Sequence, residues 1–158
     1  IRDRSGCEMV VAAVGIGTEG KKVRCNYCRR KFIYHEDDAP GIVMNKINHR
    51  DEDGRICITL HVDGLFDSFS CVLAYLRDYS SEFVRYPSAK ADTLAWFQIC
   101  HPDIDHVVYA KHWRLLDING GPLDDKTWED NNYRYIPQPG IRVTRTSHTM
   151  IRDTVRVK

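Results

Sequence analysis

Two cysteines separated by two residues, in the run Val23-Arg24-Cys25-Asn26-Tyr27-Cys28-Arg29-Arg30-Lys31-Phe32, constrain this chain more than any other feature. A Cys-x-x-Cys turn flanked by positive charge supplies two thiolates to one ion, which is half of a tetrahedral site. The fold must therefore bring a second half to Cys25 and Cys28, or else the turn is only a turn that carries cysteine.

The rest of the composition sets the frame for that requirement. A chain of 158 residues with 42% hydrophobic and 28% charged residues fits one domain, with room for a small attached sub-domain. The halves read as residues 1–86, strands plus a zinc-finger-like module, and 87–158, a helix, a Gly-Gly-Pro turn and a basic terminal strand packed on it. The formal net charge of +1 argues against a protein that coats nucleic acid indiscriminately. The charge is uneven, however: Lys21, Lys22, Arg24, Arg29, Arg30 and Lys31 surround the cysteine pair, and Asp51, Glu52 and Asp53 form an acidic stretch. No apolar run approaches the roughly 20 residues that span a bilayer, and nothing reads as a signal peptide. The chain begins with Ile1 rather than Met, as a fragment would. Six cysteines, one close pair and four singles, are too few for a dense disulfide scaffold. That pattern predicts metal plus buried thiols in a reducing intracellular compartment, cytoplasm or nucleus.

Periodicity gives a small α+β protein. Met9–Gly17 reads as a strand, Phe32–Tyr34 as a strand returning from the cysteine turn, and 36–54 as a polar loop with an apolar insert at Ile42–Met44. Ile56–Val62 reads as a strand. The period then changes to helical over Phe69, Val72, Leu73 and Leu76, with Asp67 or Ser68 as N-cap. Ser88 is the expected cap of a second helix, which carries Leu94, Trp96 and Phe97 to the core and ends at His101-Pro102. A short element at Trp113–Leu116, a turn at Asn119-Gly120-Gly121-Pro122, a short helix over 124–131 and a β-branched basic end, 141–158, complete the chain.

The strand-to-helix junction Gly64-Leu65-Phe66-Asp67-Ser68-Phe69-Ser70-Cys71 is where a second half-site belongs. Amides at a helix start stabilise thiolate charge, and Asp67 and Cys71 stand about one turn apart. Cys25, Cys28, Asp67 and Cys71 would form a closed set with a carboxylate as an uncommon zinc ligand. His61, near the end of the preceding strand, is the rival for the fourth position. Read locally, Asp67 is also an ordinary N-cap and His61 an ordinary strand residue. Cys7, Cys57 and Cys100 have no partner at useful spacing and read as buried thiols.

The same residues resemble the MYM-type (FCS) zinc finger, in which Cys-x-x-Cys is followed by Phe-Cys-Ser-x-x-Cys at a helix start. Here Phe66-Asp67-Ser68-Phe69-Ser70-Cys71 carries aspartate in place of the first cysteine of the second pair. Cys71-Val72-Leu73-Ala74-Tyr75 is similar to the Cys-x-x-Ala-Tyr continuation of such fingers in large DNA viruses. Trp113-Arg114-Leu115-Leu116 with Gly120-Gly121-Pro122-Leu123 resembles the stretch that follows the finger there. The resemblance covers roughly 23–34, 61–78 and 111–130. It implies a treble-clef or ribbon-like zinc module with short strands, two to three helices and a C-terminal β extension. It further implies a viral protein similar to the poxvirus late transcription factor class.

Other constellations are weaker. His101-Pro102-Asp103-Ile104-Asp105-His106 is reminiscent of a hydrolytic metal site but has Asp103 where a second histidine is needed. Gly15-Ile16-Gly17-Thr18-Glu19-Gly20 has dinucleotide-binding spacing but is followed by a lysine-rich strand. The basic cluster around Cys25, interleaved with Tyr27 and Phe32, is a candidate nucleic-acid surface. The expected function is a non-enzymatic, structural zinc protein of viral late transcription, with protein partners, nucleic-acid contact as an option and no small-molecule substrate or membrane. The alternative is a virion structural or assembly protein built on the same module.

Overall fold

In a computed structural model of the chain, residues 19–36, 39–84 and 86–146 are described. The expected strand at Met9–Gly17, Cys7, most of the glycine-spaced segment and the basic residues beyond Thr146 lie outside them. Backbone pairing begins with a hairpin, β1 (Lys22–Arg24) and β2 (Lys31–Ile33), in the register Lys22↔Ile33, Val23↔Phe32 and Arg24↔Lys31. The cysteine turn is its tip.

A second sheet has the order β3-β4-β5, with β3 at Ile42–Arg50, β4 at Ile56–Asp63 and β5 at Ile141–Thr146. β3 runs antiparallel to β4 and β5 runs parallel to it, so the long segment after β4 carries the chain round to the far edge. β3 corrects the expected loop at 36–54. Only its first residues, Ile42 and Val43, are buried, while Asn45–Asn48 are exposed, so the strand has no alternating pattern to read. It is held by its ladder to β4 and by the closing turn, where Asp51 Oδ1 accepts from the amides of Asp53 and Arg55, both at 2.9 Å. A bulge between Val43 and Asn45 coincides with a buried bond in which the Val43 amide donates to Thr93 Oγ1 at 3.0 Å.

Three α-helices follow: α1 (Phe69–Asp78), α2 (Ala89–Cys100) and α3 (Asp125–Asp130). The first helix is capped by Ser68, whose Oγ accepts from the Cys71 amide at 3.2 Å. Ser88 precedes α2 but has helical backbone angles and no side-chain cap bond, so that expected cap is not formed. Asp124 caps α3 through the Thr127 amide at 2.8 Å. Short 3-10 turns lie at Trp113–Leu115 and Asp117–Asn119.

The chain is thus α+β, with short strands in two small sheets and three α-helices among the described residues. Every residue of α1 from Phe69 to Leu76 is buried, because the helix serves two cores at once. Phe69 and Leu73 pack with Val43, Leu60, Val62, Trp96, Phe97 and Tyr135 between sheet and helices, with Phe69 meeting Trp96 edge-on at 5.0 Å. Cys71, Val72 and Tyr75 join Cys25, Tyr27, Cys28, Phe66, Leu116 and Trp128 in the other. Of the cysteines expected to be buried, Cys100 is, and its thiol lies 3.3 Å from the Ile136 carbonyl. Cys57 is only half-buried, 3.7 Å from Asp51 Oδ2, because it sits where the β3–β4 hairpin extends past the core.

Candidate metal centre

The cysteine turn is shaped by its own backbone. The Arg29 amide donates to the Cys25 carbonyl at 3.0 Å and the Cys25 amide donates to the Arg30 carbonyl at 2.9 Å. To close this ring Arg29 adopts φ 68°, the left-handed region that costs an ordinary residue about 1 kcal/mol or more. The turn folds the two thiols inward, leaving Cys25 and Cys28 both essentially inaccessible.

The second half arrives from the β4–α1 junction, and it is attached before any ion is considered. Asn26, between the two cysteines, donates its amide to the Leu65 carbonyl at 2.6 Å, and its Oδ1 accepts from the Leu65 amide at 2.7 Å. Gly64 makes this approach possible: its φ is +96° and a Cβ there would stand 2.4 Å from the Phe66 ring. Three residues later Asp67 turns in, and the start of α1 carries Cys71 to the same place.

Ligand atoms of Cys25, Cys28, Asp67 and Cys71 all lie within 4.8 Å of one another. Ligand atoms around a tetrahedral zinc stand roughly 3.5–4 Å apart, so the cluster is of the right size. His61, the other candidate for the fourth position, is on β4 opposite Asn45 and Thr144 and is not among the clustered residues.

Electrostatics make the cluster costly without a cation. Burial pushes the Cys25 thiol up to about 11, with its bond to Cys28 adding to the effect. Burial also raises Cys71 well above the usual thiol range. Cys28 is drawn down to about 5 because the thiols of Cys25 and then Cys71 donate to its sulfur. Burial, reinforced by Cys25, lifts the Asp67 carboxyl to about 7. Four acids thus share one small space and resist ionising together. Asp67 Oδ2 lies 3.5 Å from Cys28 Sγ and accepts from Arg30 Nη1 at 3.2 Å, whereas the buried Oδ1 has no partner. An orphaned buried oxygen beside three thiols is what a cation would satisfy.

Around the cluster stands a polar framework that was not apparent in the sequence. Arg30 ties Asp67 to α3 through Asp125 at 3.5 Å and through Glu129. Asn119 donates from Nδ2 to the Cys28 carbonyl at 2.8 Å and to the Trp113 carbonyl at 2.9 Å, which docks the Trp113–Asn119 segment on the cysteine turn. Gly121 is needed for that segment's tight path, because a Cβ would fall 2.2 Å from the Leu115 backbone. The Gly-Gly pair was the only local hint; nothing in the sequence links Asn26, Arg30 or Asn119 to their partners, which lie 39, 37 and 91 positions away.

The six basic residues expected to meet nucleic acid divide. Lys21, Lys22, Arg24, Arg29 and Lys31 are exposed. Arg30 is used internally, at 14% side-chain exposure. Tyr27 cannot stack on a base from here, because it is 1% exposed and its hydroxyl donates to Asp78 Oδ2 at 2.7 Å. The histidines and aspartates at 101–106 form a surface loop. There His101 Nε2 bonds the Arg134 carbonyl at 2.7 Å and His106 pairs with its neighbour Asp105, and no metal-sized group forms among the described residues. No described helix is long and apolar enough to cross a membrane. Comparison with protein-family models, with curated proteins and with solved structures finds no match.

Proposed function

We propose that Cys25, Cys28, Asp67 and Cys71 hold one structural zinc ion and that the chain is a non-enzymatic zinc module. The observation that carries this reading is the convergence of three buried thiols and one partnerless carboxylate oxygen within 4.8 Å. Sulfur-rich sets suit zinc over hard cations, which prefer oxygen. Bound there, zinc would neutralise the acids and cross-link β1–β2 to α1. Four protein ligands complete its usual shell, which leaves no position for a substrate. Thiols kept free for a metal fit a reducing, intracellular setting.

The resemblance to FCS fingers of large DNA viruses supports a place in viral late transcription, acting through protein partners. Assembly of a virion is the competing role for the same module. Stoichiometric presence of the chain in purified particles would favour assembly, and its restriction to infected-cell transcription complexes would favour the first role.

Metal analysis of the purified protein tests the zinc reading directly. One zinc per chain is expected, and its cobalt-substituted form should show thiolate-to-metal absorption of the intensity given by three sulfurs rather than four. Binding should weaken as pH falls, because the thiols must lose protons to ligate. Protein that retains no zinc when purified without chelator, and takes up none on titration, sinks the proposal.

A further inference from the structure

We propose that the outer face of the cysteine hairpin, joined to the segment Lys111–Arg114, binds the phosphate backbone of a nucleic acid. The register Lys22↔Ile33 and Arg24↔Lys31 places Lys22, Arg24 and Lys31 on one face of β1–β2. Arg24 Nη1 donates to the Arg29 carbonyl at 2.8 Å, which continues the face to the tip of the turn. There the Arg29 guanidinium lies 4.1 Å from the centre of the Trp113 ring, and Arg114 lies 5.1 Å from the same ring. Two segments, joined where Arg29 and Arg114 share the Trp113 ring, therefore form one cationic stripe, and Lys111, two residues before Trp113 in the chain, is exposed.

The stripe is unbalanced. Among the described residues none of Lys22, Arg24, Arg29, Lys31, Lys111 or Arg114 pairs with a carboxylate, although Arg30 nearby takes three. Asp78 is the carboxylate that feels this segment, through His112, and it is already engaged by Arg77 and the Tyr27 hydroxyl. The field of the stripe attracts a polyanion.

The chemistry favours phosphate over an acidic protein. A protein interface draws its affinity from buried apolar anchors. Here the indole that would serve is already overlaid by two guanidiniums, and Ile33 is the one large apolar side chain exposed on the strand face. Guanidiniums held over a ring keep their in-plane donors free and lose little freedom on binding, which suits bidentate phosphate contact. With Trp113 covered and Tyr27 buried, the face offers positioning contacts without base stacking.

This inference rests on the fold of the hairpin and not on the transcriptional role. Binding of the full chain to a mixed-sequence DNA duplex, followed by fluorescence anisotropy between about 50 and 200 mM salt, tests it. The expected log–log slope is negative, and Lys31→Gln with Arg114→Gln reduces its steepness by about 2 and weakens binding about tenfold or more at low salt. Lys90→Gln with Lys126→Gln removes the same charge elsewhere and leaves binding within about twofold, because neither cation touches the proposed phosphates. Zinc content measured on every variant separates loss of the metal from loss of binding. A flat salt response, an equal loss in the control pair, or tighter binding of polyglutamate than of DNA would overturn the proposal, the last in favour of an acidic protein partner.

Discussion

The two cores that meet on α1 are built by different means. Between the sheet and α2, cohesion comes from area: Phe69, Trp96, Phe97 and Tyr135 interlock edge to face, with Phe69 at 5.0 to 5.9 Å from the other three. Around the cysteine turn, two short strands and a 3-10 segment are held by directed polar bonds from Asn26, Arg30 and Asn119, and they enclose four acids. The first kind of core is stable because water is excluded from carbon. The second also buries Tyr27, Phe66, Leu116 and Trp128, but its acids can ionise together only beside a cation, so the metal proposal is also a statement about which half of the molecule responds to an ion.

The largest expected effect separates them. Cys71→Ser should abolish zinc binding and cost more than about 4 kcal/mol, the range reserved for loss of a metal or similar feature. Hydrogen exchange should rise first in the β1–β2 hairpin, while β3–β4 amides remain protected. Equal deprotection of both regions would show that the cores are one cooperative unit. Next comes Trp96→Ala, expected to cost about 3–5 kcal/mol from lost burial and the cavity left behind. Zinc per folded chain should not change; a fall in zinc affinity would break the proposed independence.

Smaller effects sharpen the contrast. Arg30→Gln leaves the four ligands in place but frees Asp67 from α3, and it should weaken zinc about 10–100-fold, as loss of an outer partner does. Competition with a chelator of known affinity measures this. Unchanged affinity would mean that Asp67 is held by the β4–α1 junction alone. The smallest is Ser68→Ala, about 1 kcal/mol from loss of the cap on α1. Since α1 belongs to both cores, thermal unfolding should shift by the same amount with and without zinc.

Much of this was legible locally. The helical period at Phe69–Leu76, the strand at Ile56–Val62, the stop at His101-Pro102 and the short helix near 124–131 all correspond to elements in the structure, because each is encoded by side chains within one segment. β3 was not, since its outer half has exposed side chains on both faces and owes its form to hydrogen bonds with β4. Ser88 fails as a cap for a related reason: residue type suggests a cap, but the backbone angles that aim the hydroxyl are set by packing.

The sequence by itself determined which groups are available for chemistry: two thiols in a turn whose spacing faces them together, and a carboxylate and a thiol one helical turn apart. Only the tertiary structure decided that these halves meet, that Asp67 and not His61 stands with the thiols, and that Arg30 turns inward while its basic neighbours stay outside. The reason is reach. Spacing within a turn or helix is fixed by backbone geometry, but the meeting of residues some forty to ninety positions apart depends on the polar bonds and packing of the whole chain.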